Sequence, residues 1–157
     1  MRTEPVAGAK IALVAAGRVL THLRDDFAHL PYPGFWDFPG GARDGDETAE
    51  ACALRELHEE YVLILPEARL LWRRDYLSAH VPGAIAAFFG GRIAEEEIAA
   101  ITFGDEGQRW EMMEIGAFLA HERAVPYLRD RLADFLAAGI ICGRAGPGSG
   151  LGSGRPR

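Results

Sequence analysis

The pattern of apolar and polar positions divides the chain into short strands and two helices. Lys10 to Ala15 is a nearly continuous apolar run, the signature of a buried strand. Ala16-Gly17-Arg18 interrupts it and Val19 to Arg24 resumes it, which predicts a hairpin, with His22 as a partly exposed strand residue. Asp25 to Gly34 holds two prolines and reads as a loop. Phe35 to Phe38 reads as a short aromatic strand, stopped by Pro39-Gly40-Gly41. A helix follows, with Thr48 as its N-cap, running to about Tyr61. Strands are expected around Ala68 to Tyr76, Ala84 to Gly90 and Trp110 to Met113. Ile115 to Glu122 is weakly helical. Pro126 opens a last helix whose apolar positions Leu128, Leu132, Phe135 and Leu136 recur at helical spacing.

Strands, one helix, more strands and a C-terminal helix predict a mixed α/β (α+β) sandwich, its sheet lying between helices. Hairpins and short connections favour a mixed sheet over a parallel one. A domain over residues 1–141 is expected, followed by a Gly/Ser/Pro/Arg tail over 142–157 that has no means of burying a core.

Composition narrows the function classes. A chain of 157 residues with 48% hydrophobic and 25% charged content is ordinary for a soluble domain. The net charge of −6 argues against a nucleic-acid polymer as partner, since the phosphate backbone calls for a basic face. No apolar run approaches a membrane span, and Met-Arg-Thr-Glu-Pro lacks a signal-peptide core, so a cytoplasmic location is expected. Cys52 and Cys142 fit no metal pattern. The run Glu95-Glu96-Glu97 reads as a solvated acidic stretch.

The predicted helix after Gly41 carries the chemistry. Glu56, Glu59 and Glu60 stand at i, i+3 and i+4, so at about 100° per residue they share one face. Leu54, Leu57 and Tyr61 take the opposite face, and His58 falls near it as a structural residue. Like charges at this spacing cost roughly 0.2–0.5 kcal/mol per pair. Arg55 can answer Glu59 but not all three, and a hard divalent cation with oxygen ligands would turn the repulsion into coordination. Three acidic residues on a helix are ordinarily a solvated face; the residues around this one change that reading.

Gly41-x5-Glu47-x7-Arg55-Glu56-Leu57-x-Glu59-Glu60-x-Val62-Leu63 resembles the Nudix hydrolase signature, with Val62 in place of the family's glycine. Phe38-Pro39-Gly40 ahead of it, and Glu106-Gly107-Gln108 followed by Trp110, look like MutT-like members. The resemblance spans about residues 8 to 139. It implies a Nudix-type α/β/α sandwich that hydrolyses a phosphoanhydride in a nucleoside diphosphate linked to another moiety, with Mg²⁺ or Mn²⁺. It carries metal ligation to Gly40 (carbonyl), Glu56, Glu59, Glu60 and Glu106, with Glu47 bracing Arg55. Glu56 and Glu106 are both candidates for the base that activates water. Glycine at position 62 would suit a left-handed helix cap, whereas valine strongly disfavours that conformation, so φ < 0 is expected at Val62.

Outside the signature, Arg24 stands where MutT-like proteins carry a phosphate-contacting arginine. Arg73 and Arg74 are further cations, and Trp36, Phe35 and Trp110 could stack on a base. Ala120 to Pro126 lacks the asparagine with which oxidised-guanine sanitisers read their base. A nucleoside triphosphate cleaved to the monophosphate and pyrophosphate is the expected substrate, ahead of ADP-ribose or a dinucleoside polyphosphate. A non-catalytic Nudix-like nucleotide-binding module is the competing class. The expected partner is a small nucleotide, bound by a monomer or a homodimer.

Overall fold

The computed structural model describes residues 6–141. The expected tail and Cys142 lie outside the described residues. Within them seven strands and four α-helices follow in order: β1 (Val6–Ala15), β2 (Arg18–Leu23), β3 (Trp36–Asp37), β4 (Gly40–Ala42), α1 (Ala49–Tyr61), β5 (Leu70–Leu77), β6 (Ile85–Arg92), α2 (Glu95–Ala99), β7 (Arg109–Glu114), α3 (Ile115–Ala120) and α4 (Pro126–Ala137). The sheet runs β3-β2-β1-β6-β5, with β4 beside β1 and β7 beside β2. Among the described strands β1 and β6 pair in parallel and the other strand pairs are antiparallel, with one isolated parallel bridge from Trp36 to Ala124. The mixed sheet predicted from the short connections is therefore the observed one.

Alternation along β1 divides the core. Ala9, Ile11 and Leu13 face one layer with Cys52, Ala53, Leu57 and Tyr61 of α1. Ala12 and Val14 face the other with Phe118 of α3 and Leu128, Leu132 and Phe135 of α4. A strand buried on both faces reads as a continuous apolar run, which explains the uninterrupted pattern of Lys10 to Ala15. β1 is also where the sheet forks. It pairs β2 only at Val14 and Ala15, and its opposite end pairs β4 through Gly8, Ala9 and Lys10. The fork opens a cleft beside the second half of α1, where Glu56 and Glu60 line it.

Two local expectations are corrected. His22 is buried, not partly exposed, because its ring packs against Tyr61 of α1 and Phe103. His58 is exposed, because the apolar stripe of α1 runs through Ala49, Cys52, Ala53, Leu57 and Tyr61 instead. The acidic run is solvated as expected, with Glu95 and Glu96 exposed on the short helix α2; Glu95 pairs with Arg18 at 3.0 Å and Glu97 with Arg69.

Candidate active site

Two glycines bring the chain past the carboxylates of α1. Gly40 has φ 139°, and a Cβ there would meet the Ala9 carbonyl oxygen at 2.1 Å, so only glycine allows β4 to lie against β1. At Gly41 the obstacle is different: a Cβ would stand 2.5 Å from Glu56 Oε2. The bare backbone leaves that space to the Glu56 carboxylate. Glu60 Oε1 accepts a 3.0 Å hydrogen bond from the Gly40 N–H.

Arg55 holds the outer side of the cluster. Its Nε and Nη2 donate to Glu47 Oε2 and Oε1 at 2.6 and 3.1 Å, a forked pair. Nη2 also reaches the Ala42 carbonyl at 3.0 Å, and Nη1 donates to Glu56 at 3.3 Å and Glu59 at 3.1 Å. The hydrogen bond from Arg55, opposed by burial, leaves the Glu47 carboxyl below its ordinary range.

The C-terminal end of α1 is clamped by the segment before β7. Thr102 N donates to Tyr61 O at 3.1 Å and Gly104 N to Glu60 O at 2.8 Å, satisfying carbonyls that the helix itself leaves free. A Cβ at Gly104 would stand 2.8 Å from the Glu59 carbonyl oxygen, so the segment docks closely. Val62 leaves the helix with φ 55° and ψ 41°, its N–H donating to His58 O. The expectation of φ < 0 is wrong: the valine adopts the left-handed cap. The neighbouring contacts explain how it is held, since Leu63 and Leu65 are buried and the 102–104 segment fixes the carbonyls just before the turn.

That docking delivers Asp105 and Glu106. Together with Glu56, Glu59 and Glu60 they line a cavity of about 250 Å³ walled by carboxylates. A larger cleft of about 760 Å³ adjoins it, and Glu56, Glu60 and Glu106 line both. Burial, opposed by Lys10 and the Gly40 N–H, pushes the Glu60 carboxyl up to about 8. Burial likewise raises Glu56.

The cleft floor is an ion triad. Asp37 Oδ2 takes Lys10 Nζ and Arg24 Nη1, each at 2.9 Å. Burial works against its charge, but Lys10 and then His22 and Arg24 outweigh it and bring the carboxyl down to about 2. Lys10 Nζ also reaches the carbonyls of Phe38 at 3.3 Å and Gly40 at 3.4 Å. Burial holds His22 down to about 4, and its Nδ1 shares a 2.6 Å hydrogen bond with the Tyr61 hydroxyl. On the far wall Arg131 is 6% exposed, its guanidinium 4.5 Å from the ring centroids of both Tyr76 and Tyr127.

The donor set suits a hard divalent cation, whose ligands are carboxylate and carbonyl oxygens. Among the described residues, no three such side chains stand as a ready coordination group. Here Glu60 accepts from the Gly40 N–H, and Glu56 and Glu59 accept from Arg55. A cation bound here has to displace those weaker partners.

The structure thus brings Gly40, Glu47, Arg55, Glu56, Glu59, Glu60 and Glu106 together, and places Arg24 in the cleft. It does not bring Trp36 or Arg73 there. Trp36 is buried beside the start of α4, with Arg109 over its ring at 4.9 Å. Arg73 of β5 packs over Phe89 of β6 and pairs with Asp75 and Glu50. Arg74 pairs with Asp134 at 3.5 Å, Phe35 lies under Arg123, and Trp110 packs on the α1 side of the sheet. Sequence reasoning missed Lys10, Asp37 and Arg131. Lys10 was visible as the one charge in an apolar strand; Asp37 and Arg131 carried no signal apart from lying among aromatic or apolar neighbours.

The NUDIX domain family model matches residues 7–135. Over 38 residues the chain is 47% identical to an 8-oxo-dGTP diphosphatase of Proteus vulgaris, a stretch covering 24% of this chain and 34% of that protein. Its fold is similar to that of a MutT protein from Methanosarcina mazei Go1 (TM-score 0.67, 19% identity, 89% of this chain and 99% of that one). It is also similar to a bifunctional NMN adenylyltransferase/ADP ribose pyrophosphatase from Francisella tularensis, solved with AMP and a Mn ion. There the TM-score is 0.66 and the identity 19%, over 88% of this chain and 42% of that one.

Proposed function

The chain belongs to the NUDIX domain family, and on that premise we propose that it hydrolyses a phosphoanhydride in a nucleoside diphosphate linked to another moiety. The substrate that fits best is a nucleoside triphosphate, cleaved to the monophosphate and pyrophosphate. The observation that carries this reading is the junction of the two cavities, where Glu56, Glu60 and Glu106 line both the carboxylate-walled space and a cleft of nucleotide size.

Glu56, Glu59, Glu60, Glu106 and the Gly40 carbonyl would hold Mg²⁺ or Mn²⁺. A cation bound there neutralises phosphate charge and lowers the pKa of a coordinated water. The chain's own residues do the rest. Arg55 and Glu47 fix the carboxylate face from outside, so the donors sit on a rigid helix. Arg24, at the cleft floor, offers a cation to the phosphates. Glu56 or Glu106 takes a proton from water as its oxygen bonds to phosphorus, while the bond from phosphorus to the bridging oxygen breaks and pyrophosphate leaves. The retained carboxylates favour catalysis over a binding-only module.

The test is a panel of nucleoside triphosphates, ADP-ribose and dinucleoside polyphosphates, assayed for pyrophosphate or phosphate release with Mg²⁺. Wild type should turn over at least one, and Glu56→Gln and Glu106→Gln should each keep the fold. Either variant should lose about 10²-fold or more, and the base is the residue whose variant does so while binding Mn²⁺ as wild type does. Equal rates for wild type and both variants would overturn the mechanism.

A further inference from the structure

Arg131 is a buried cation with little in the protein to answer it. It projects from the middle of α4 into the wall of the larger cleft. A guanidinium carries five N–H donors. Among the described residues one hydrogen bond forms, from Nη2 to the Leu77 carbonyl at 3.2 Å. Among the described residues no carboxylate lies within ion-pair reach of it. The other two cations of the cleft are differently placed, since Lys10 and Arg24 share Asp37.

Burying an unpaired charge is costly, and the observed contacts recover only part of that cost. The Tyr76 and Tyr127 rings attract the guanidinium through their faces, but cation–π contacts are weaker than an ion pair with matched hydrogen bonds. A residue serving only to join α4 to the end of β5 could do so without a charge. What the two rings do well is hold the planar fork still. A preoriented guanidinium with unused donors, facing a cleft, is the arrangement that recognises paired anionic oxygens.

We propose that Arg131 is the anchor of a second anion subsite, on the part of the cleft wall formed by α4, which receives a phosphate or carboxylate group of the ligand. Tyr127 and His80, whose hydroxyl and Nε2 lie 3.1 Å apart, line the same part of the cleft and offer further donors. Only the assignment of that anion to a substrate rests on the proposed hydrolysis. The subsite then selects substrates bearing an anionic group beyond the one engaged at the carboxylates.

The test needs no turnover. Inorganic phosphate and acetate are titrated, in EDTA, into wild type, Arg131→Gln, Arg131→Lys, Arg24→Gln and Glu56→Gln, with binding followed by calorimetry and by the arginine Nε–H resonances in wild type. Phosphate should shift the Arg131 resonance. Its affinity should fall at least tenfold in Arg131→Gln, less in Arg131→Lys, and little in Glu56→Gln. Acetate binding with the same dependence on Arg131 identifies a carboxylate subsite, and its absence a phosphate one. The proposal is overturned if wild type binds neither anion, if Arg131→Gln binds as wild type does, or if only Arg24→Gln loses binding. An Arg131 resonance unmoved at saturation overturns it without any variant. Loss of hydrolysis in Glu56→Gln bears on the proposed function alone.

Discussion

Val62 shows what one residue can be made to do by its surroundings. A left-handed conformation costs an L-residue roughly 1–2 kcal/mol, and a β-branched one is a genuine outlier there. The chain accepts that cost at φ 55° because the carbonyls of Glu60 and Tyr61 are taken by Gly104 and Thr102, and Leu63 must return to the core. Val62 itself is 50% exposed, so little packing is lost when it is shortened. Val62→Gly should therefore stabilise the protein by about 1 kcal/mol, the strain relieved exceeding the added freedom of the unfolded chain. Urea unfolding of the two proteins measures it, and a variant less stable than wild type would show the valine to be unstrained. The two active-site glycines behave differently from each other. Gly40→Ala drives a methyl into the backbone of β1 and should destabilise the fold. Gly41→Ala meets only the end of the Glu56 side chain, so it should fold with nearly unchanged stability yet lose at least tenfold in metal-dependent turnover.

Between elements, the pair His22–Tyr61 ties β2 to α1 inside the core. His22 titrates near 4 in the folded protein against about 6.5 unfolded, so below 6.5 the unfolded chain binds the extra proton. Its contribution is complete above pH 6.5 and is lost as pH falls toward 4, by up to about 3 kcal/mol. Asp37 and Asp25 pull the opposite way on this imidazole, and Lys10 and Arg24 reinforce burial. Glu60, pushed up to about 8, adds a contrary slope between 4.5 and 8. The readout is thus the difference between wild type and His22→Gln in unfolding midpoint from pH 7 to 5. Wild type should lose more stability than the variant on acidification, and parallel curves would refute the assignment. Elements were legible where the pattern is local: Thr48 accepts from Ala51 N as the N-cap, and Pro126 opens α4. The same local logic misjudged His22 and Val62, because the packing of Tyr61 and Phe103 on His22 and the 102–104 segment capping α1 are contacts between residues far apart in sequence.

For the whole molecule, the sheet's fork at β1 is what makes a site of residues that the signature only places on a helix. The order of carboxylates along α1 could be read directly from the sequence, and so could the approach of Glu106, through its resemblance to a known loop. The cleft floor could not, since Lys10, Arg24 and Asp37 meet only when β1, β2 and β3 assemble. Nor could the displacement of Trp36 and Arg73 from the cleft, because an aromatic or cationic residue on a strand looks alike in sequence whichever face it takes. Among the described residues no helix is long and apolar enough to cross a membrane. The central claim is that the carboxylates gathered by α1 and the segment before β7 form a divalent-cation site, and it can be examined before the substrate is known. Titration of Mn²⁺ into the protein, followed by the loss of its free-ion resonance signal, is the direct measurement. Wild type should bind the ion, and the double variant Glu56→Gln/Glu60→Gln, still folded, should bind it at least tenfold more weakly. Identical titrations of the two proteins would contradict the account.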